Sequence, residues 1–209
     1  MGAHIKKIII VLFIILVMFG TGFYLAYYNF DQLADSKSIS EDMIEYQEES
    51  YLRLSRESGV EVLSEEMPSE PIISPDGDKL AFIDPFQWET VGSIFLYDYQ
   101  ANSLTELLKA DQVEEQATPK GIWWYNDDYL LAIIGYAYGT VSVGGDLYLV
   151  DVETGNPRRV LGLNEYQEVK DISLDDQYIY LEIAEFDEAY NDYEVIEDRI
   201  NRDRLDDVI

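Results

Sequence analysis

The chain opens on one long apolar run and then breaks into short ones. Ile8 to Tyr28 reads IIIVLFIILVMFGTGFYLAYY, 21 residues without a charge. At 1.5 Å per residue a helix of that length spans roughly 31 Å, matching a hydrocarbon core of ~30 Å. Lys6 and Lys7 precede the run, and Phe23, Tyr24, Tyr27 and Tyr28 crowd its far end. Basic residues on the cytoplasmic side and an aromatic belt outside predict a single-pass helix over 8–28. Residues 1–7 would then be cytoplasmic, the C-terminal bulk extracytoplasmic, and the membrane a partner. A second reading stays open: Ile8–Phe19 as the apolar region of a signal peptide, with Gly20-Thr21-Gly22 as small residues for cleavage. Either way the body of the chain is exported.

Residues 29–67 read as an acidic spacer that includes a helix. Ser38 and Glu41 form a capping-box pattern, Met43, Ile44, Tyr51 and Leu54 fall roughly on one helical face, and Gly59 can end the helix.

Over 68–184 the texture changes to short apolar runs divided by turn residues, and an internal repeat emerges. KLAFIDPFQWETV (79–91) aligns with YLLAIIGYAYGTV (129–141) at an offset of 50. Leu80 matches Leu130, Ile83 matches Ile133, Phe86 matches Tyr136 and Trp88 matches Tyr138. The offset then becomes 53, pairing Asp98 with Asp151, Asn102 with Gly155 and Leu108 with Leu161. A weaker third copy starts at Leu174-Asp175-Asp176-Gln177 and continues through Tyr178–Leu181. Each unit places a polar turn before an apolar strand, then a longer loop, a second strand, a tight turn and a short last strand. One further strand before the first turn makes four per ~50 residues, the spacing of a propeller blade. Trp123 and Trp124 read as strand residues.

The runs SPDGDKLAF and IFLYDYQANSLTELL resemble blades of the TolB-like and WD-type β-propeller superfamily. The resemblance covers residues 71–183, and the second unit keeps LYLVDVETGNPRRVL while YNDD replaces the S-P-D-G turn. It implies a mainly β fold of partial, propeller-like antiparallel four-stranded repeats, two to three blades in number. The GYAYGTVSVGGDLY stretch is also similar to an uncharacterised membrane-anchored domain family of spore-forming bacteria.

So few blades leave open sheet edges and an uncovered face. Cover from helices, closure by oligomerisation and a distinct compact sheet domain are the available remedies. Phe186, Tyr190, Tyr193, Ile196 and Ile200 recur at helical spacing within the acidic segment 185–209, with Arg199, Arg202 and Arg204 toward its end. This predicts an amphipathic helix over 186–203. The alternative makes Tyr193–Ile196 a strand of the third blade.

Charge then narrows the chemistry. The chain holds 42 acidic and 14 basic residues, one His and no Cys, for a net charge of −28. All 42 acids and 12 of the basic residues fall in 31–209, a net −30 over that stretch. Such a surface repels phosphate backbones and excludes nucleic acid as a partner. Without Cys there is no disulfide, thiol nucleophile or cysteine-ligated metal. With His4 alone, before the apolar run, the body has no imidazole base and no Ser-His-Asp triad.

The candidate ligand or partner surface is the set of matched loop aromatics: Phe86, Trp88, Tyr136 and Tyr138. They either plug the packing layer of the sheets or form a binding face, since Trp and Tyr combine contact area with a polar handle. If they are core, each truncation to Ala costs about 3–5 kcal/mol, with Tyr138→Ala more damaging than Trp88→Ala. Asp76, Asp78, Asp127, Asp128, Asp175 and Asp176 read as solvated turn residues, and no EF-hand spacing is present. No catalytic residue, metal ligand or cofactor site is assigned. The sequence thus predicts a membrane-anchored, extracytoplasmic, non-catalytic binding or scaffold module of the bacterial envelope, facing a protein or envelope-polymer partner. The alternative is an enzyme or calcium-dependent activity on envelope polymers.

Overall fold

Strands in this chain follow turns whose side chains fix the backbone locally. In the first repeat unit Ser74 Oγ donates to Asp76 Oδ1 at 2.6 Å, and Gly77 takes φ +77° to complete the turn. Asp98 Oδ1 accepts from the Ala101 N–H at 2.7 Å, and Asp151 Oδ1 from the Thr154 N–H at the same distance. Asn102 and Gly155, matched in the repeat, both adopt left-handed backbone (φ +51° and +71°). Asn and Gly tolerate that conformation best, which is why one can stand for the other.

The computed structural model describes residues 38–138 and 142–206. The apolar run 8–28, with its anchor and signal readings, lies outside the described residues. Among the described residues no helix is long and apolar enough to cross a membrane.

Among the described residues four antiparallel sheets follow one another in chain order. The first joins β1 (Ile44–Gln47), β2 (Tyr51–Arg56) and β3 (Gly59–Ser64). The second joins β4 (Ile72–Ile73), β5 (Lys79–Asp84), β6 (Ser93–Asp98) and β7 (Ser103–Lys109). The third joins β8 (Ala117–Trp124), β9 (Tyr129–Tyr136), β10 (Asp146–Asp151) and β11 (Pro157–Arg159). The fourth joins β12 (Gln167–Leu174), β13 (Tyr178–Phe186) and β14 (Tyr193–Asn201), before a single turn, α1 (Asp203–Asp206). Within each sheet, strands neighbour one another in chain order.

Consecutive sheets share their cores. Leu52, Leu54 and Leu63 of the first sheet pack with Leu80, Phe82 and Tyr97 of the second. Ala81, Ile83 and Ile94 of the second pack with Leu130, Ala132 and Ile134 of the third. Leu131, Ile133 and Leu147 of the third pack with Ile179, Leu181 and Ile183 of the fourth. Alternate residues of β5 and β9 thus enter different cores, so both strands are apolar without a break. Trp123 and Trp124 point into different cores in the same way, and Trp124 Nε1 donates to the Ile72 carbonyl at 3.1 Å. Meander sheets stacked face to face in chain order are propeller-like.

The two predicted helices are strands. Residues 38–59 form a 3-10 turn at Glu41–Met43, then β1 and β2. Leu52 and Leu54 are fully buried while Tyr51, Arg53 and Ser55 face outward, a period of two. Glu49 (φ +56°) and Gly59 (φ +132°) lie at the hairpin turns rather than at a helix and its cap. The predicted helix 186–203 is the end of β13, a turn and β14; its runner-up, a strand from Tyr193, has the right type. Ile196 pairs with Ile183 and Ile200 with Ile179. A spacing of four keeps residues on one side of a strand as well as of a helix, and burial on the fourth sheet decides between them. Strands therefore extend on both sides of 68–184, and the described residues form four sheets rather than two or three.

Among the described residues no helix covers the terminal sheets, and polar side chains occupy much of their outer faces. On the first sheet Arg53 lies over the Tyr51 ring at 4.1 Å, and Tyr51 donates to Glu45 at 2.6 Å. On the fourth, Arg199 lies over Tyr178 at 4.4 Å, and Tyr180 donates to Asp175 at 2.7 Å. Stacked repeats end this way, with a hydrated outer face on the last unit.

Between the first two sheets, Tyr97 is fully buried, and its hydroxyl donates to Glu61 at 2.6 Å while accepting from Arg56. Burial, helped by the bond to Glu61, pushes its pKa up to about 12, against the pull of Arg56. The unfolded phenol titrates near ~10, so the stabilisation is complete below pH ~10 and lost as pH rises toward about 12. Tyr97→Phe is expected to flatten this part of the alkaline stability curve. Urea midpoints measured from pH 9 to 12 check it, and an unchanged slope would contradict the assignment.

Candidate functional site

The four loop aromatics are all exposed: Phe86 45%, Trp88 65%, Tyr136 49% and Tyr138 40%. The core alternative for them is overturned, because the loops run past the ends of strands whose own alternate residues already fill the cores. Phe86 and Trp88 line a cavity of about 430 Å³. Tyr136 and Tyr138 do not line it; Ala137 between them does. Those two rings instead meet edge to face at 5.9 Å, and Tyr136 Oη donates to Gln116 Oε1 at 2.9 Å. The matched aromatics therefore split into a pocket pair and a flanking pair.

The cavity draws its walls from three sheets. The loop after β5 gives Pro85, Phe86, Trp88 and Glu89; β8 gives Thr118, Pro119 and Lys120; β12 gives Lys170. Thr118 Oγ1 accepts from the Gly92 N–H at 3.0 Å, tying the first loop to β8. The glycine-punctuated segment between β9 and β10 ties β9 to β12. Gly145 and Val169 exchange backbone hydrogen bonds at 3.0 and 2.7 Å. Glu168 accepts from the Gly144 N–H at 2.8 Å and from Ser142 Oγ at 3.3 Å.

Two lysines here escaped the sequence reading. β8 slips register against β9 between Pro119 and Gly121, leaving Lys120 as the extra residue. β12 slips against β13 between Val169 and Asp171, leaving Lys170 as the extra residue. A bulge re-aims the side chain it carries, and here the same bulge occurs at the same place in two successive sheets. The signal was present: ATPKGIWW (117–124) and QEVKDISL (167–174) align at the repeat's own offset of 50, matching Lys120 with Lys170 and Ile122 with Ile172. Burial pushes the half-buried Lys120 ammonium below its usual range, and Glu168 partly restores it. Lys170 stands 4.0 Å from Glu182 on the surface.

Three of the turn acids, Asp76, Asp127 and Asp175, accept from the backbone, and Asp78 accepts from Gln100 Nε2 at 3.1 Å. Asp76 accepts from the Asp78 N–H at 2.9 Å, Asp127 from the Asp76 N–H at 2.9 Å, and Asp175 from the N–H groups of Gln177 and Tyr178 at 2.8 and 2.7 Å. Among the described residues no three acidic or histidine side chains gather as metal ligands would.

Residues 85–201 match the family described as "Domain of unknown function (DUF4652)", more than half of the chain. The chain belongs to that family. The matched stretch, 85–201, takes in every pocket residue named above, from Pro85 to Lys170. No curated protein matches the chain. Among solved structures, a Clostridium novyi NT protein assigned as a conserved lipoprotein is 25% identical at a TM-score of 0.57, covering 66% of this chain and 89% of that one. The propeller domain of the Trilobed protease from Pyrococcus furiosus is 18% identical at 0.47, covering 72% of this chain and 45% of that one. TolB from Acinetobacter baumannii is 14% identical at 0.40, covering 69% and 37%.

Proposed function

We propose that the chain is a non-catalytic binding module of the bacterial cell envelope, held to the membrane by residues 8–28 with its sheets outside. The observation that carries the binding reading is the 430 Å³ cavity between three sheets, walled by the exposed Phe86 and Trp88. Cavities of that volume accept small ligands, and an exposed Trp beside one offers contact area at little conformational cost. The likeness to a protein assigned as a lipoprotein supports an envelope setting. The uncharged run behind Lys6 and Lys7 supports the orientation.

Protease added to intact cells is expected to remove the sheet domain. Protection of that domain would overturn the placement. A residue kept for binding rather than packing should also be dispensable for stability. Trp88→Ala is expected to stay within about 0.5 kcal/mol of the parent. Tyr138→Ala is expected to cost more than Trp88→Ala, because Tyr138 holds the Tyr136 ring, yet less than a cavity-forming core truncation. Chemical denaturation of both variants checks the order, and a loss of several kcal/mol for Trp88→Ala would return that side chain to the core.

A further inference from the structure

The pocket's chemistry narrows what it can hold. The chain carries a net charge of −28, so cations placed together are costly to dismiss as average surface. Lys120 and Lys170 come from two different sheets, each as the extra residue of a bulge, and both line the one cavity. A bulge forfeits ladder pairing, and two matched bulges spend it on aiming the same side chain at the same opening. Phe86 and Trp88 line the same cavity, with Pro85, Pro119 and Val143 adding apolar surface.

The neighbouring acids leave these ammonium groups available. Glu168, the acid facing Lys120, is turned to the Gly144 N–H and Ser142. Glu182 meets Lys170 at 4.0 Å in an exposed pair, an arrangement of small net strength. Glu89 also lines the cavity. Two lysines and one carboxylate in the lining, with Glu168 and Glu182 close by on so acidic a chain, suit a single negative charge better than a doubly charged phosphate.

We propose that the pocket binds a small carboxylate attached to a flat or apolar body, the carboxylate between Lys120 and Lys170 and the body against Trp88 and Phe86. This rests on the reading of the cavity as a binding site. Charge-assisted hydrogen bonds from the two ammonium groups orient the anion, and the aromatic wall excludes water from its body.

The test titrates the purified full chain with phenylacetate, 2-phenylethanol and phenyl phosphate, following the Trp88 indole N–H resonance, assigned by its absence in Trp88→Phe. Phenylacetate is expected to shift it saturably, at least tenfold tighter than either other probe. Lys120→Met and Lys170→Met are each expected to weaken phenylacetate about tenfold and to leave 2-phenylethanol unchanged. Lys120→Arg, which keeps the charge, is expected to retain binding, and it separates lost charge from lost folding. Equal affinity for the alcohol, tighter binding of phenyl phosphate, or unaffected Met variants would overturn the carboxylate while leaving the pocket as a binding site. If no probe shifts the resonance, the binding reading falls and the inference with it.

Discussion

Leu130→Ala and Leu131→Ala are each expected to lose about 2–5 kcal/mol of stability, although the two residues are neighbours in sequence. Both side chains are fully buried on β9. Leu130 enters the core shared with the second sheet, and Leu131 the core shared with the fourth. A strand covered on one side only would spare one of the pair. An amphipathic helix would tolerate one of them as well, since adjacent positions lie 100° apart. Two large losses from consecutive residues require cover on both faces, which the stacked sheets provide. Urea denaturation with a conserved slope measures both values; a loss below about 1 kcal/mol for either would show that one of the shared cores is not formed.

That two-sided burial also explains which parts of the fold could be read from sequence. In the second and third sheets the runs Leu80–Ile83 and Leu130–Ile134 are uninterrupted, and their turns carry local chemistry at Asp98, Asn102, Asp151 and Gly155. Local chemistry is visible in one dimension, so these strands and turns were legible. Among the described residues the first and fourth sheets pack against a neighbouring sheet on one side, and their other faces mix polar side chains with exposed valines such as Val60, Val62 and Val195. Their apolar residues are sparse enough that Met43, Ile44, Tyr51 and Leu54, or Ile196 and Ile200, also fit a helical period. Only packing against the neighbouring sheet separates the two.

The pocket was half legible for a related reason. Phe86 and Trp88 stand out as large aromatics in a polar loop, a signal of composition alone. Lys120 and Lys170 carry no such signal, because a lysine in an acidic chain reads as ordinary surface. Their role depends on register, and a bulge is defined only once the partner strand is known. The offset of 50 linked them, but it could not say that both side chains open on one cavity.

Gly144→Ala is expected to cost about 3 kcal/mol and to weaken phenylacetate binding together with it. A Cβ at Gly144 would lie 2.0 Å from the Val169 carbonyl oxygen, and one at Gly145 would lie 2.2 Å from that of Ile134. Both obstacles are backbone atoms, so no rotamer change relieves them and a strand must move. Overpacking of this kind costs about 1–3 kcal/mol, and a displaced strand adds the backbone hydrogen bonds between Gly145 and Val169 to the loss. β12 is the strand displaced, and Lys170 sits one residue beyond Val169. The pocket should therefore lose its second cation even in molecules that remain folded. Gly162→Ala provides the control: nothing lies within 4 Å of a Cβ there, and its stability is expected to stay within about 0.5 kcal/mol of the parent. Thermal and urea denaturation of the two variants side by side decide the matter. A Gly144→Ala protein as stable as Gly162→Ala would mean that the loop after β9 does not press on β12, and that Lys170 owes its position to something else.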